Sequence, residues 1–181
     1  PFNSYYGATS ASEYQGRVNS IWVDPTDSNT ILLGSDAGGL WKSVNDGLSW
    51  NNITDDALII GSGIAGILGV NQIAVNPLDK NRIHIAIGVK SQYGKSGGYC
   101  LGLAYTTDGG LHWQTDNDFN SLVGGGYTDD VKLGYTPGTQ KLYAIYRNQV
   151  LYKPDTASAW SDITPSGISG IDWFTDLKFS K

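Results

Sequence analysis

At 181 residues and 19.4 kDa, the chain has the length of one ordinary domain, enough to bury roughly 70% of its unfolded surface. Twelve basic against seventeen acidic side chains leave a net charge of −5, and the three arginines (Arg17, Arg82, Arg147) are scattered, so no basic stripe exists to hold nucleic acid or an anionic membrane. Charged residues make up only 16% while 24 glycines, 11 tyrosines and 6 tryptophans are present, which excludes disorder; a lone Cys100 excludes an internal disulfide and a thiolate zinc cluster.

Pro1 to Gln15 reads as a lead-in, and because Pro1 follows no Met, the expectation is a removed leader or a piece of something longer. Tyr5, Tyr6 and Tyr14 in this lead-in either close the first structural unit or offer aromatic faces to a ligand. From Gly16 onward the chain repeats itself. The first copy is Val18 to Trp50, the second runs from Val70 to Trp113, the third from Asp129 to Trp160, and a fourth begins with Thr175-Asp176-Leu177. Matching Ile21, Ile73, Val131 and Leu177 gives spacings of 52, 58 and 46 residues. Within each copy short runs alternate apolar and polar about turns such as Asp24-Pro25-Thr26-Asp27-Ser28-Asn29 and Asn76-Pro77-Leu78-Asp79-Lys80-Asn81, whose Pro and Asx residues preset φ and bond the backbone. No window holds a 3.6-residue apolar period. The pattern predicts an all-β propeller of four-stranded antiparallel blades, incomplete in this chain: blades over about 16–60, 66–120 and 127–166, and the start of another over 171–181. The most apolar run, Ala57 to Val70, is 14 residues with four glycines, too short to span a bilayer.

Each copy ends in an eight-residue corner closed by tryptophan. Ser43 to Trp50 contains Asn45, Asp46 and Gly47; Thr106 to Trp113 contains Asp108 and Gly110; Lys153 to Trp160 keeps only Asp155 and Trp160. A carboxylate or amide accepting turn N–H groups, a glycine at positive φ and an indole packed between blades account for such a pattern. These residues are therefore expected to be structural. His112 reads as an exposed strand residue and His84 as a surface or half-buried one, neither as a ligand.

The corners resemble the Asp-box, or BNR, repeat, and with Gly16-Arg17-Val18-Asn19 and Val70-Asn71-Gln72-Ile73 the chain resembles the opening blades of sortilin-type (VPS10-like) propellers, most of all those of secreted Bacteroidetes surface proteins. That resemblance implies an extracellular or cell-surface location and, for such proteins, type IX secretion. It also implies a binding or scaffold module for protein or glycan within a larger protein, without catalysis in this portion. A more distant similarity is to xyloglucanase-type propellers. Ser35-Asp36-Ala37-Gly38-Gly39-Leu40-Trp41-Lys42 has the shape of a stretch whose Asp is the general base in that family, which implies the alternative: a polysaccharide endo-hydrolase with Asp36 as general base. Its partner acid would stand roughly 6.5–9.5 Å away, as inversion requires, and in that family comes from a second propeller. Sialidase chemistry is not supported, since it needs an arginine triad and a glutamate, and Glu13 is the only glutamate.

Ligand contacts are expected from the Lys90 to Tyr99 insertion, through Tyr93, Lys95 and Tyr99, and from Tyr6; the plainer reading of both segments is a surface loop and a closing strand. No cofactor or metal is expected. Asp129 and Asp130 raise the question of calcium, but adjacent strand residues point to opposite faces. Three copies and a stub do not close a ring, so the expected partners are the remaining blades of the same protein or a partner chain, with glycan or protein as ligand, no nucleic acid and no membrane span.

Overall fold

The computed structural model describes residues 17–36, 38–54, 69–89, 99–123, 126–127, 131–154, 159–168 and 176–179. Three antiparallel sheets follow one another along the chain. The first contains β1 (Val18–Val23), β2 (Ile31–Ser35), β3 (Leu40–Ser43) and β4 (Asn51–Asn52) in that order. The second contains β5 (Val70–Asn76), β6 (Asp79–Val89), β7 (Tyr99–Thr106) and β8 (Gln114–Thr115), and β9 (Gly126–Tyr127) adds a fifth strand on β7. β10 (Lys132–Tyr135), β11 (Lys141–Tyr146), β12 (Gln149–Pro154) and β13 (Ser161–Asp162) form the third. Strand order equals chain order in each, which makes each sheet a blade of a partial β-propeller.

The turn chemistry read from the sequence fixes the first hairpin of the first two blades. Asp24 accepts the N–H groups of Thr26 and Asp27 at 2.8 and 3.2 Å around Pro25, and Asn76 accepts Leu78 N–H at 2.8 Å around Pro77. Aligning Pro25, Pro77 and Pro137 sets Ile21, Ile73 and Leu133 in one register, opposite Leu33, Ile85 and Ala144. The third member of the sequence alignment is thereby corrected from Val131 to Leu133; Val131 takes the place held by Asn19 and Asn71.

Because side chains alternate across a strand, each blade has two faces. Leu32 and Leu40 of the first blade pack on Val70, Val75, Ile83, Ile85, Ile87 and Ala104 of the second, with Trp22, Ile53 and Ile73 at the margin. The opposite face of the second blade offers Ala74, Ala86 and Leu103 to Val131, Leu133, Tyr135, Leu142, Ala144, Tyr146 and Leu151 of the third. A fully buried aliphatic side chain such as Ile85 stabilises by roughly 1.5–3 kcal/mol. The third blade's far face carries Tyr143 against Tyr152 and Phe179, with ring centroids at 5.1 and 5.7 Å. On the first blade's far face Ile21 and Val23 remain 65% and 44% exposed.

One helix, α1 (Asn117–Val123), departs from the all-strand expectation. Asp116 caps it, accepting Phe119 N–H on its side chain at 3.2 Å and Asn120 N–H on its carbonyl at 3.0 Å. Phe119, fully buried, anchors it against Trp160 and Tyr146. Seven residues are too few to write a helical period into the sequence.

Candidate functional site

Asp36 follows the last residue of β2, at the end of the blade where Arg17 leads into β1. The Asp36 N–H donates to the Arg17 carbonyl at 3.0 Å. The Arg17 guanidinium returns a bond to Asp36 Oδ1 at 3.1 Å, and Asn19 Nδ2 donates to the same oxygen at 3.1 Å. Asn19 Nδ2 also reaches Asn71 Oδ1 at 2.9 Å, linking the innermost strands of two blades. Asp36 is only 2% exposed, whereas half of the Arg17 side chain faces solvent. The second blade begins against this cluster: a Cβ on Gly69 would fall 1.9 Å from the Gly88 carbonyl oxygen and 2.6 Å from that of Asp36, so only glycine lets the two backbones meet there. Beyond Asp36, the Gly38 carbonyl accepts both Trp41 Nε1 at 2.7 Å and Asn52 Nδ2 at 2.8 Å. Asp36 is therefore held by charge and amide donors from its own blade in a small polar cluster at the axial end.

The corners occupy the opposite end. Ser43 Oγ donates to Asn45 Oδ1 and accepts Gly47 N–H at 2.9 Å, while Asn45 Oδ1 accepts Ser49 N–H at 2.9 Å. Thr106 and Asp108 repeat this arrangement: Thr106 Oγ1 donates to Asp108 Oδ1 at 2.7 Å and accepts Gly110 N–H at 3.1 Å, and Asp108 Oδ1 accepts the N–H groups of Leu111 and His112 at 3.0 and 2.9 Å. The His112 backbone N–H, the Thr106 hydroxyl and the His112 ring together hold the Asp108 carboxyl far below the usual carboxylate range. Asp46 has φ 57° where the second corner has Gly109 at φ 74°, a left-handed position that Asp tolerates. Gly110, at φ 103°, has no room for a Cβ, which would lie 2.7 Å from Ile53 Cδ1.

Trp113 and Trp160 are buried between blades, and their indoles donate across the joint, Trp113 to the Ile53 carbonyl at 2.8 Å and Trp160 to Asp116 Oδ2 at 3.0 Å. Lys153 stands where Ser43 and Thr106 stand in the other corners, and its ammonium also meets Asp116 Oδ2 at 3.0 Å. Close by, His84 shares a 2.9 Å hydrogen bond with the Tyr135 hydroxyl and stacks on Tyr105 at 5.4 Å. His84 is 4% exposed, correcting its expected surface or half-buried place: its alternation position on β6 faces the third blade. Burial holds its imidazole down to about 3 against the pull of the Asp116 carboxylate, with the Lys153 and Arg82 charges adding to the depression. His112 is exposed as expected, but in the turn rather than in a strand.

Tyr6, Tyr93, Lys95, Asp155 and the Asp129–Asp130 pair lie outside the described residues, and of Tyr99 the structure gives the backbone, paired with Val89 and Tyr127. Among the described residues no three His, Cys, Asp or Glu side chains converge on a metal position, and no helix is long and apolar enough to cross a membrane. Asn19, which bonds both Asp36 and Asn71, and the Asp116–Lys153–Trp160 cluster are brought together by the fold and were not among the expected site residues. The signals existed: Val-Asn opens both Val18-Asn19 and Val70-Asn71, and Trp50-Asn51-Asn52-Ile53-Thr54 recurs as Trp160-Ser161-Asp162-Ile163-Thr164.

No protein-family model matches the chain. A probable oligoxyloglucan-reducing end-specific xyloglucanase from Neosartorya fischeri is 28% identical over 177 residues, covering 83% of this chain and 20% of that protein. Among solved structures, the GH74 enzyme of Niastella koreensis superposes with a TM-score of 0.56 at 22% identity over 81% of this chain and 21% of its own. The GH74 xyloglucanase of Xanthomonas campestris gives 0.53 at 18% identity, over 80% and 22%. The chain thus shares the fold of xyloglucanase-type propellers and spans about a fifth of each relative's length.

Proposed function

We propose that this chain is a non-catalytic, glycan-binding segment of a larger secreted propeller protein, directed to a xyloglucan-like polysaccharide. The observation that carries the reading is the state of Asp36. A general base has to reach the water it activates, and this carboxylate is buried under Arg17 and Asn19. Arg17, half open to solvent, has donors to offer a sugar hydroxyl at that end. The names of the similar proteins supply the ligand class. In the same reading the corners at Asn45, Asp46, Gly47 and Trp50, and at Asp108, Gly110, Trp113 and Trp160, are Asp-box turns that hold the blades. Tyr93, Lys95, Tyr99 and Tyr6 are proposed to stack on or bond the glycan, and the remaining blades of the polypeptide are its structural partners.

The second reading, an endo-hydrolase with Asp36 as general base, is favoured by the register of Asp36 on the β2–β3 turn. It requires Asp36 to leave Arg17 for substrate. Affinity electrophoresis of the full-length polypeptide through gels containing xyloglucan tests the first reading. Retardation by xyloglucan is expected, weakened roughly tenfold by Arg17→Lys, which keeps the charge but loses the planar fork of guanidinium donors. Migration unaffected by xyloglucan would contradict it.

A further inference from the structure

The two joints between blades follow one rule, and that rule assigns an occupant to a face that no described sheet covers. In each joint the following blade presents the same positions: Ile73, Val75, Ile83 and Ile85 in the first, Leu133, Tyr135, Leu142 and Ala144 in the second. In each, the corner tryptophan of the following blade donates its indole N–H to the third residue after the preceding blade's tryptophan. Trp113 finds the Ile53 carbonyl and Trp160 finds the Asp116 carboxylate. Ile53 and Asp116 are structurally equivalent, for their N–H groups bond Leu40 and Leu103 carbonyls alike, both at 2.9 Å.

The first blade carries the same equipment, and no other described sheet packs on that face. Ile21, Val23, Ile31 and Leu33 are the register mates of Ile73, Val75, Ile83 and Ile85, yet Ile21 and Val23 are largely exposed and Ile31 and Leu33 only half-buried. Trp50 is half-buried too, and its indole folds back on its own turn, donating to the Gly47 carbonyl at 3.0 Å. From the continuity of this face with the two joints already formed, we infer that it receives another four-stranded sheet of the same polypeptide. That sheet presents small and aliphatic residues at the positions of Leu32, Leu40 and Ala86, and the third residue after its own corner offers a carbonyl or carboxylate to which Trp50 turns its indole. Ile163, the counterpart of Ile53 in the third blade and 46% exposed, is the matching seat for the corner of a following blade. The inference rests on the proposal that the chain is a propeller segment and is independent of any glycan.

Cysteine labelling of the full-length polypeptide tests it. Ile21→Cys and Val23→Cys are compared with Leu48→Cys, whose parent side chain is 87% exposed on a corner tip, each site quantified by peptide mass spectrometry and each variant's mass in solution measured by light scattering. The expected result is a monomer in which both face positions react at least about 100-fold more slowly than position 48, because labelling has to await local opening. Equal rates at either correctly folded face variant would overturn the inference. So would protection that appears only in a dimer and disappears in Ile21→Asp, since the occupant would then be a second copy. Loss of xyloglucan retardation with the protection intact would count against the proposed ligand alone.

Discussion

The two joints use the same strand positions and fill them with opposite chemistry. Between the first and second blades the contact is aliphatic, Leu32 and Leu40 against Ile83, Ile85 and Ile87. The cross-joint ion pair of Lys80 with Asp24, 2.6 Å long, lies at its turn end. Between the second and third, aromatic rings surround a buried polar centre: His84 with Tyr135, and Asp116 receiving Lys153 and the Trp160 indole at 3.0 Å each. An aliphatic joint is held by area and tolerates small losses gradually. A buried charge network is held by completeness, because removing one partner strands the others in a low dielectric. The same blade register thus yields one joint that responds to pH only below 3.8, through Asp24, and one that responds already below 6.5, through His84.

The largest effect is expected at the second joint. Asp116→Ala strands the Lys153 ammonium and removes the cap of α1, and a loss of about 3–5 kcal/mol is expected from chemical denaturation. Hydrogen exchange should rise in β10–β12 before it does in β1–β3; a uniform rise would erase the distinction between the joints. At the first joint Leu32→Ala should cost roughly 2–4 kcal/mol as lost transfer energy plus a cavity, by a margin that does not change between pH 7 and 5. A pH-dependent margin would show that polar groups carry that joint too.

Acid sharpens the contrast. His84 titrates at about 3 in the fold and at 6.5 when unfolded, so the unfolded chain takes a proton first. Stability is full above pH 6.5 and falls as the pH drops from there toward 3, by at most about 1.4 kcal/mol per pH unit for one proton. His84→Gln should flatten that slope in urea titrations at pH 6.5 to 4, and an unchanged slope would clear His84 of the effect. At the first joint, burial pushes the Asp24 carboxyl up, but the Lys80 ammonium and the Thr26 N–H and hydroxyl outweigh it and hold it at about 2. Its contribution is present above 3.8 and is lost only as the pH falls from there toward 2. The smallest effect belongs to the corners. Asp108→Asn should barely move the thermal midpoint at pH 7, since Asn45 already performs that task in the first blade. Below pH 3.8 the wild type should lose its small advantage as Asp108 protonates.

How much of this was written in the sequence differs by element. Period-two apolar runs broken by Asp-Pro and Asn-Pro turns specify strands and their hairpins locally, so the blades were legible, as was the Trp-ended repeat. The register of the third blade differs from the expected one because the bulge asparagine of the first two blades, Asn19 and Asn71, is replaced by Val131, which looks like an apolar residue of the strand itself. α1 depends on one cap and one buried Phe119, too little for a periodic signal. Asp36 was legible as a position but not as an environment: nothing local says that Arg17 and Asn19, 19 and 17 residues earlier, close over it. His84 looked like a surface residue because burial between blades is decided by a neighbour 51 residues away.

The claim that Asp36 is a brace and not a base is tested most directly by the release of reducing ends from xyloglucan by the full-length polypeptide and its Asp36→Asn variant. The substitution preserves an oxygen for Arg17 and Asn19 while abolishing any basic function. The account predicts the same rate for both proteins, whether that rate is measurable or nil. A fall of about 10²–10⁴-fold, the size of a lost general base, in a variant that remains folded would contradict it and return Asp36 to catalysis.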